Sequence, residues 1–181
     1  MQLGALRWRP ALSHPGLLAA SSLAALQQWP DDAVRTQVHV AEIDPDLADT
    51  AALSAAYDLP LDASANCVLV SGRRDGTERT AAAVVLATTR ADVNSTIKRL
   101  LDVRKASFLP SDRAVAESVM EYGGITPIGL PDGWRVLVDS RVAATEQVIV
   151  GSGLRRSKVA LPGALLATLP GVEVIEGLAS D

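Results

Sequence analysis

The sequence has a single cysteine, Cys67, so an intramolecular disulfide cannot staple the fold. One thiol and two widely separated histidines, His14 and His39, are also too few soft ligands for a structural zinc site. No apolar run is long enough to span a bilayer; the longest near the N-terminus, residues 16–26, falls short of the roughly 20 residues needed. Arg7 and Arg9 precede that run as the basic region of a secretory signal would. Gln27, Gln28 and Trp29 follow it, however, where a small-residue cleavage site belongs. The segment reads as a short amphipathic helix packed on the domain, and the protein as cytoplasmic. Low-complexity linkers and internal repeats are missing too. Nor is there an excess of positive charge: 17 Lys+Arg against 21 Asp+Glu leave a net charge of −4, which argues against wide phosphate contact.

What is present is a chain of 181 residues, 48% hydrophobic, long enough to bury one core and too apolar for disorder. An N-terminal helical arm, residues 1–30, is expected to precede one domain, residues 31–181. Residues 35–41 partly alternate and carry β-branched side chains, which predicts a strand. An acidic loop at 42–49 leads to a helix at 51–57, capped by Thr50 and ended by Pro60. Two apolar runs, 67–70 and 81–87, flank a polar turn and predict a β-hairpin. Asp92 is suited to cap a helix at 93–101, where Val93, Ile97, Leu100 and Leu101 recur on one face. A strand is expected at 103–109. A helix capped by Ser111 or Asp112 follows, with Val115, Ser118, Val119 and Tyr122 sharing a face. Strands at 135–142, 147–150, 158–161 and 172–175, and a helix at 163–169 opened by Pro162, complete the chain. Short strands and helices in no strict βαβ alternation predict an α+β fold: a single domain with a mixed, mostly antiparallel central β-sheet flanked by helices.

Chemistry has few places to reside. The stretch Gly123-Gly124-Ile125-Thr126-Pro127-Ile128-Gly129-Leu130-Pro131 cannot be regular structure. Its glycines allow a ligand to approach backbone N–H groups, its prolines stiffen it, and Thr126 offers a hydroxyl. Such a loop suits an anion or a carbonyl oxygen, and equally serves as a plain helix-to-strand connection. A second stretch, Gly151-Ser152-Gly153-Leu154-Arg155-Arg156-Ser157-Lys158, lacks the Walker spacing. It is either a phosphate-holding loop or a basic hairpin turn. Between residues 90 and 113, six basic side chains are interspersed with three acidic ones, as on a solvated face where Lys98 and Asp102 pair at i, i+4. Asp139, ending an apolar strand, is the best-placed carboxylate, a position that also suits capping a turn. His39 lies within a strand, and Cys67 beside Val68 and Leu69 reads as a small hydrophobe. No spacing indicates a Ser/His/Asp triad.

Taken in order, these motifs resemble the YbaK/EbsC family, related to the editing domain inserted in bacterial prolyl-tRNA synthetases. The resemblance rests on residues 123–129, similar to the family's glycine-x-x-x-proline loop (here Gly123 and Pro127). It extends to Leu137-Val138-Asp139, to Val150–Gly153 with Arg155, to 82–86 with the helix at 93–101, and to Gln37-Val38-His39 with Glu42 and Asp44. It spans roughly residues 34–179. The resemblance implies the family's fold, hydrolysis of the ester of a misacylated tRNA in trans, an aminoacyl-tRNA acceptor end as partner, and neither metal nor other cofactor. It also implies an aminoacyl pocket formed by Ile125, Thr126, Pro127 and Gly129, with Gly123 and Gly124 beside the reacting ester. Cys67, Gly151, Ser152 and Gly153 join the substrate-binding set, Arg155 and Lys158 attract acceptor-stem phosphates, and Asp139 joins the catalytic set.

The sequence departs from the family at one telling position. Asn66 stands where a lysine is expected on the first hairpin strand, with Cys67 where threonine is common and Ala41 where an aromatic is frequent. Asparagine donates hydrogen bonds but carries no charge. Lys105 and Lys158 are the candidates to supply an ammonium instead. Two readings follow: a deacylase in which Asn66 orients the substrate, or a module of the same fold that binds an aminoacyl-tRNA end or small acyl ligand without turnover. A third assigns the apolar arm to homodimerisation. The charge is uneven: residues 1–66 carry 3 basic and 8 acidic groups, residues 67–150 carry 11 and 10, and residues 151–181 carry 3 of each. The glycine loops thus sit in neutral to slightly basic surroundings, suited to weak, salt-sensitive capture of a tRNA end.

Overall fold

The computed structural model describes residues 2–181. The chain enters along a sheet edge, where β1 (Arg9–Pro10) pairs antiparallel with β2 (His39–Glu42). Between them lie two 3₁₀ turns and the helices α1 (Ala20–Gln28) and α2 (Val34–Gln37). The strand expected at 35–41 is therefore helical in its first half. Asp31 accepts from the Ala33 N–H at 2.8 Å and starts a turn that the chain continues as helix, burying Val34 and Val38. Next comes α3 (Thr50–Tyr57), capped by Asp49 rather than Thr50, with Asp49 Oδ1 accepting from the Ala51 N–H at 3.0 Å. The helix ends on Asp58 in a left-handed conformation.

The predicted hairpin is present and longer than expected. β3 (Ala65–Arg74) and β4 (Thr77–Leu86) pair over ten registered positions. Their connection is the two-residue turn Asp75-Gly76, both at positive φ, which matches the twist of the flanking strands. After β5 (Arg90–Ala91), Asp92 caps the next helix through Ser95 and Thr96 as predicted. Its first turn is wound as π-helix over Val93–Ile97 before α4 (Lys98–Leu101). β6 (Ala106–Phe108) precedes α5 (Ser111–Ser118). Pro110, not Ser111 or Asp112, occupies the cap of α5, and no side chain closes it. The helix stops at Val119, which is left-handed, so Val119 and Tyr122 point to solvent instead of sharing the buried face.

β7 (Arg135–Asp139) ends earlier than expected because Asp139 caps α6 (Ser140–Ala144). β8 (Val148–Gly151), β9 (Ser157–Leu161) and β10 (Val172–Ile175) fall where the pattern put them, α7 (Gly163–Leu166) is three residues shorter than the helix expected at 163–169, and β11 (Ala179–Ser180) closes the chain against β5. The strands form a four-stranded sheet, β1-β2-β9-β8, and a five-stranded sheet, β10-β7-β4-β3-β6. β7 runs parallel to both its neighbours, and the remaining pairings are antiparallel. A bridge between Ser64 and Ile149 links the two sheets at the start of β3. This is the expected α+β fold with mostly antiparallel sheet. Among the described residues no helix is long and apolar enough to cross a membrane.

The largest core cluster fills the space between the sheets and the N-terminal segment. Leu18, Leu26 and Trp29 from the first thirty residues pack there with Val40, Val84, Val138, Val150 and Leu161. The segment also shares hydrogen bonds with the loop after β8: the Ala19 N–H donates to Ser152 O at 3.0 Å, and Ser157 Oγ donates to Leu17 O at 2.8 Å. Leu26 is 1% exposed, so Leu26→Ala leaves a cavity and should cost about 2–5 kcal/mol. Urea unfolding of the two proteins measures this. A loss below about 1 kcal/mol would show that the segment contributes little to the core.

Candidate functional site

The two glycine stretches form one structure. The loop after α5 and the loop between β8 and β9 lie backbone against backbone. The Glu121 N–H donates to Gly153 O at 2.9 Å, the Gly153 N–H to Gly124 O at 2.7 Å, and the Gly124 N–H to Glu121 O at 2.9 Å. A side chain at Gly124 would overlap the backbone of Leu154, and one at Gly151 would overlap the carbonyls of Gly124 and Ile125. Close approach, rather than an unusual φ, is what requires glycine at both positions. Side chains lock the seam further. The Arg155 N–H donates to Glu121 Oε2 at 2.6 Å, and Arg155 Nη1 donates to Tyr122 O at 3.2 Å.

A cleft of about 400 Å³ opens beside this seam, where the ends of both sheets meet. β3 contributes Asn66, Cys67 and Val68, the seam contributes Gly123, Ile125 and Gly151, and α3 closes one side with Thr50 and Leu53. Lys158 enters from β9. Its Nζ donates to Gly123 O at 3.0 Å and to Ala48 O at 3.1 Å, and the residue is only 8% exposed. Desolvation, aided by repulsion from Arg155 and opposed by Asp49, lowers its pKa to about 8. Two of its three N–H groups are committed to carbonyls, which leaves one for the cleft. Asn66 is held too: Thr50 Oγ1 donates to Asn66 Oδ1 at 2.8 Å, so the amide's remaining capacity is its N–H donors. Burial pushes the Cys67 thiol up to about 12, leaving it un-ionised and a poor nucleophile near neutral pH.

The cleft thus gathers Asn66, Cys67, Gly123, Ile125, Gly151, Arg155 and Lys158 from the sequence-derived set. The others lie elsewhere. The Gly124 N–H is already bonded to Glu121 O, so it is no open donor for a substrate oxygen. Thr126 is fully buried, its hydroxyl accepting from the Ile128 N–H at 3.5 Å. Pro127 and Gly129 line a separate hollow with Trp29 and Trp134. Ser152 and Gly153 are buried behind the seam; the Ser152 hydroxyl bonds Ser157, and Gly153 rests against Ala19. Lys158 sits inside the cleft and not on a surface where stem phosphates would run. Lys105 is exposed and outside the cleft, and Ala41 is fully buried.

Asp139 is also outside the cleft. Its Oδ1 accepts from the Arg141 N–H at 2.9 Å and from Arg141 Nε at 3.0 Å, and its Oδ2 accepts from the Ala179 N–H at 3.0 Å. Burial raises its pKa, but the Arg141 and Ala179 donors outweigh that effect and hold the carboxyl below its ordinary value. It caps α6 and ties down the C-terminus. Sequence reading did not single out Thr50 as the partner of Asn66, a contact that spans two elements. Tyr122, at the cleft mouth, carried a visible signal as an aromatic placed directly before the Gly-Gly pair.

The family model described as "Aminoacyl-tRNA editing domain" matches residues 44–169, a span that holds both glycine loops and the whole cleft. No curated protein matches. A solved structure described as a candidate trans-editing enzyme for prolyl-tRNA synthetase aligns with TM-score 0.72 and 16% identity, covering 91% of this chain and 99% of that one. A hypothetical protein aligns with TM-score 0.68 and 17% identity over 78% of this chain and 90% of its own. A candidate signal transduction protein from Marinobacter aquaeolei VT8 aligns with TM-score 0.60 and 16% identity, covering 91% of this chain but only 31% of that longer one. At such identities the likeness is one of fold.

The buried lysine has a measurable consequence. Its pKa is about 8 in the fold against 10.5 for a free side chain, so above pH 8 the unfolded chain binds more protons at this site than the folded one. Stability attributable to Lys158 therefore rises with pH, by about 1 kcal/mol between pH 8 and 9. Cys67 works in the opposite direction above pH 9, because its thiol ionises more readily when unfolded. Urea unfolding of wild type and Lys158→Met across this range isolates the lysine. A difference between them that stays flat with pH would contradict the buried-amine assignment.

Proposed function

The chain belongs to the aminoacyl-tRNA editing domain family, and from that premise we propose that it hydrolyses the ester of a misacylated tRNA in trans, in the cytoplasm. The observation that carries this reading is the Lys158 ammonium, held in the cleft between the Gly123 and Ala48 carbonyls. Water attacks the ester carbonyl carbon, the carbonyl oxygen takes up negative charge, and the carbon–oxygen bond to the ribose breaks. The ribose oxygen leaves with a proton, releasing the amino acid and an intact tRNA. The remaining Lys158 N–H is the group to meet the developing oxyanion, a charge that the uncharged Asn66 on the first hairpin strand does not supply. Asn66, fixed by Thr50, orients the aminoacyl end through its amide N–H groups. The ester is intrinsically reactive, so orientation and charge stabilisation supply the acceleration without a strong protein base.

Release of amino acid from a panel of mischarged tRNAs, including alanyl- and cysteinyl-tRNA for proline, tests this. Wild type should deacylate at least one above the spontaneous rate. Lys158→Met should lose about 100-fold or more in kcat, the magnitude expected for one oxyanion donor. With the ammonium as the acting form, the protein-dependent rate falls as the pH rises past about 8. A rate that instead climbs through that pH would assign Lys158 to general base catalysis. No release from any tRNA would overturn the hydrolase reading. A second reading, a binding module without turnover, is favoured by the uncharged Asn66 on the hairpin strand. Tight tRNA binding without hydrolysis, with activity appearing in Asn66→Lys, would establish it.

A further inference from the structure

Four of the chain's six aromatic residues are at least partly buried, while Phe108 and Tyr122 are exposed. Trp8 Nε1 donates to Leu3 O, Trp29 Nε1 donates to Thr168 Oγ1, and Tyr57 OH accepts from the Asp44 N–H. Of the two exposed rings, Tyr122 is the one at the cleft. It is 63% exposed, lines the mouth of the cleft, and belongs to a backbone that the glycine seam holds rigid. The Arg155 guanidinium lies over its ring, 6.0 Å from the centroid, and is tied to the Tyr122 carbonyl. An exposed aromatic ring on a fixed loop, with a guanidinium beside it, is the surface on which an unpaired nucleobase stacks. The same arrangement places a positive charge next to that base, where the flanking phosphate of a single strand lies.

We propose that Tyr122 and Arg155 form a platform that binds the terminal adenine base of the substrate's acceptor end, so that the ester it carries reaches past Gly123 toward Lys158. The proposal rests on the hydrolase reading for the identity of the ligand and adds the residues that hold its base. It also gives the exposed tyrosine a role that packing does not. The ring face supplies stacking, which tolerates any base. The invariant 3′-terminal adenosine of tRNA is the base that an ester seated in this cleft would bring to it.

The test is binding of two probes to the full chain. One is alanyl-adenosine with the ester replaced by an amide, and the other is the same molecule without its adenine. Wild type should bind the adenine-bearing probe roughly tenfold more tightly. Tyr122→Leu, which keeps apolar bulk but has no ring, should abolish that preference, and Tyr122→Phe should retain it. The exposed position makes both variants compatible with folding, and circular dichroism melting confirms it. A base preference that survives in Tyr122→Leu, or a wild type that does not discriminate the probes, would overturn the platform. Because the probes cannot be hydrolysed, base-dependent binding by a wild type that fails the deacylation panel would uphold the platform while the hydrolase reading fell.

Discussion

Two glycine loops pressed backbone to backbone, with no room for a side chain between them, are the constraint on which the site depends. Through the Gly124, Gly153 and Glu121 hydrogen bonds the seam fixes the carbonyl of Gly123, and that carbonyl is one of the two that hold Lys158. It likewise fixes Tyr122, whose carbonyl anchors Arg155. A seam built from main-chain bonds cannot adjust by a rotamer change, so the groups it positions inherit its rigidity. Behind it, Gly153 and Gly129 rest on α1, which makes the N-terminal segment the wall against which the seam is set.

That wall lies outside the matched family span, which begins at residue 44. The first forty residues nonetheless supply Leu18, Leu26, Trp29 and Val38 to the principal core, and Ala19 and Leu17 bond to the loop that carries Ser152 and Ser157. A support of this kind places no group in the cleft. Its contribution is to remove alternatives for the loop, and the cost of ordering that loop is met when the core forms rather than when a substrate binds.

How much of this was legible in the sequence follows from the range of each interaction. The hairpin, the Asp92 cap and the short strands from residue 148 onward are local, and alternation or capping chemistry reveals them. The strand expected at 35–41 failed where a buried Val34 and an aspartate turn outweighed β-propensity. Val119 and Tyr122 satisfied a helical period that the chain abandons at a left-handed residue. In the site, glycine composition marked both loops correctly. That they are one object was not legible, because the contacts join residues some thirty positions apart. Thr126, Ser152 and Asp139 have the side chains of functional residues but point into the structure, a distinction that only burial reveals.

The cleft holds its buried ammonium on one strand and its uncharged amide on another. Asn66 lies on β3 and Lys158 on β9, in different sheets, yet the bridge between Ser64 and Ile149 brings the ends of those sheets together around one cleft. A cation acts from where its nitrogen sits, and a lysine stem is long enough to reach that point from either side. Placing it there has a cost, since the amine is buried deeply enough to lower its pKa to about 8. Two backbone carbonyls offset part of that cost, and one of them belongs to the seam. Asn66 on β3 carries no charge, so a neutral partner suffices, and the Thr50 hydroxyl, which does not cap α3 because Asp49 does, provides it. Asn66 on β3, the cap of α3 and the depth of Lys158 are thus parts of one arrangement.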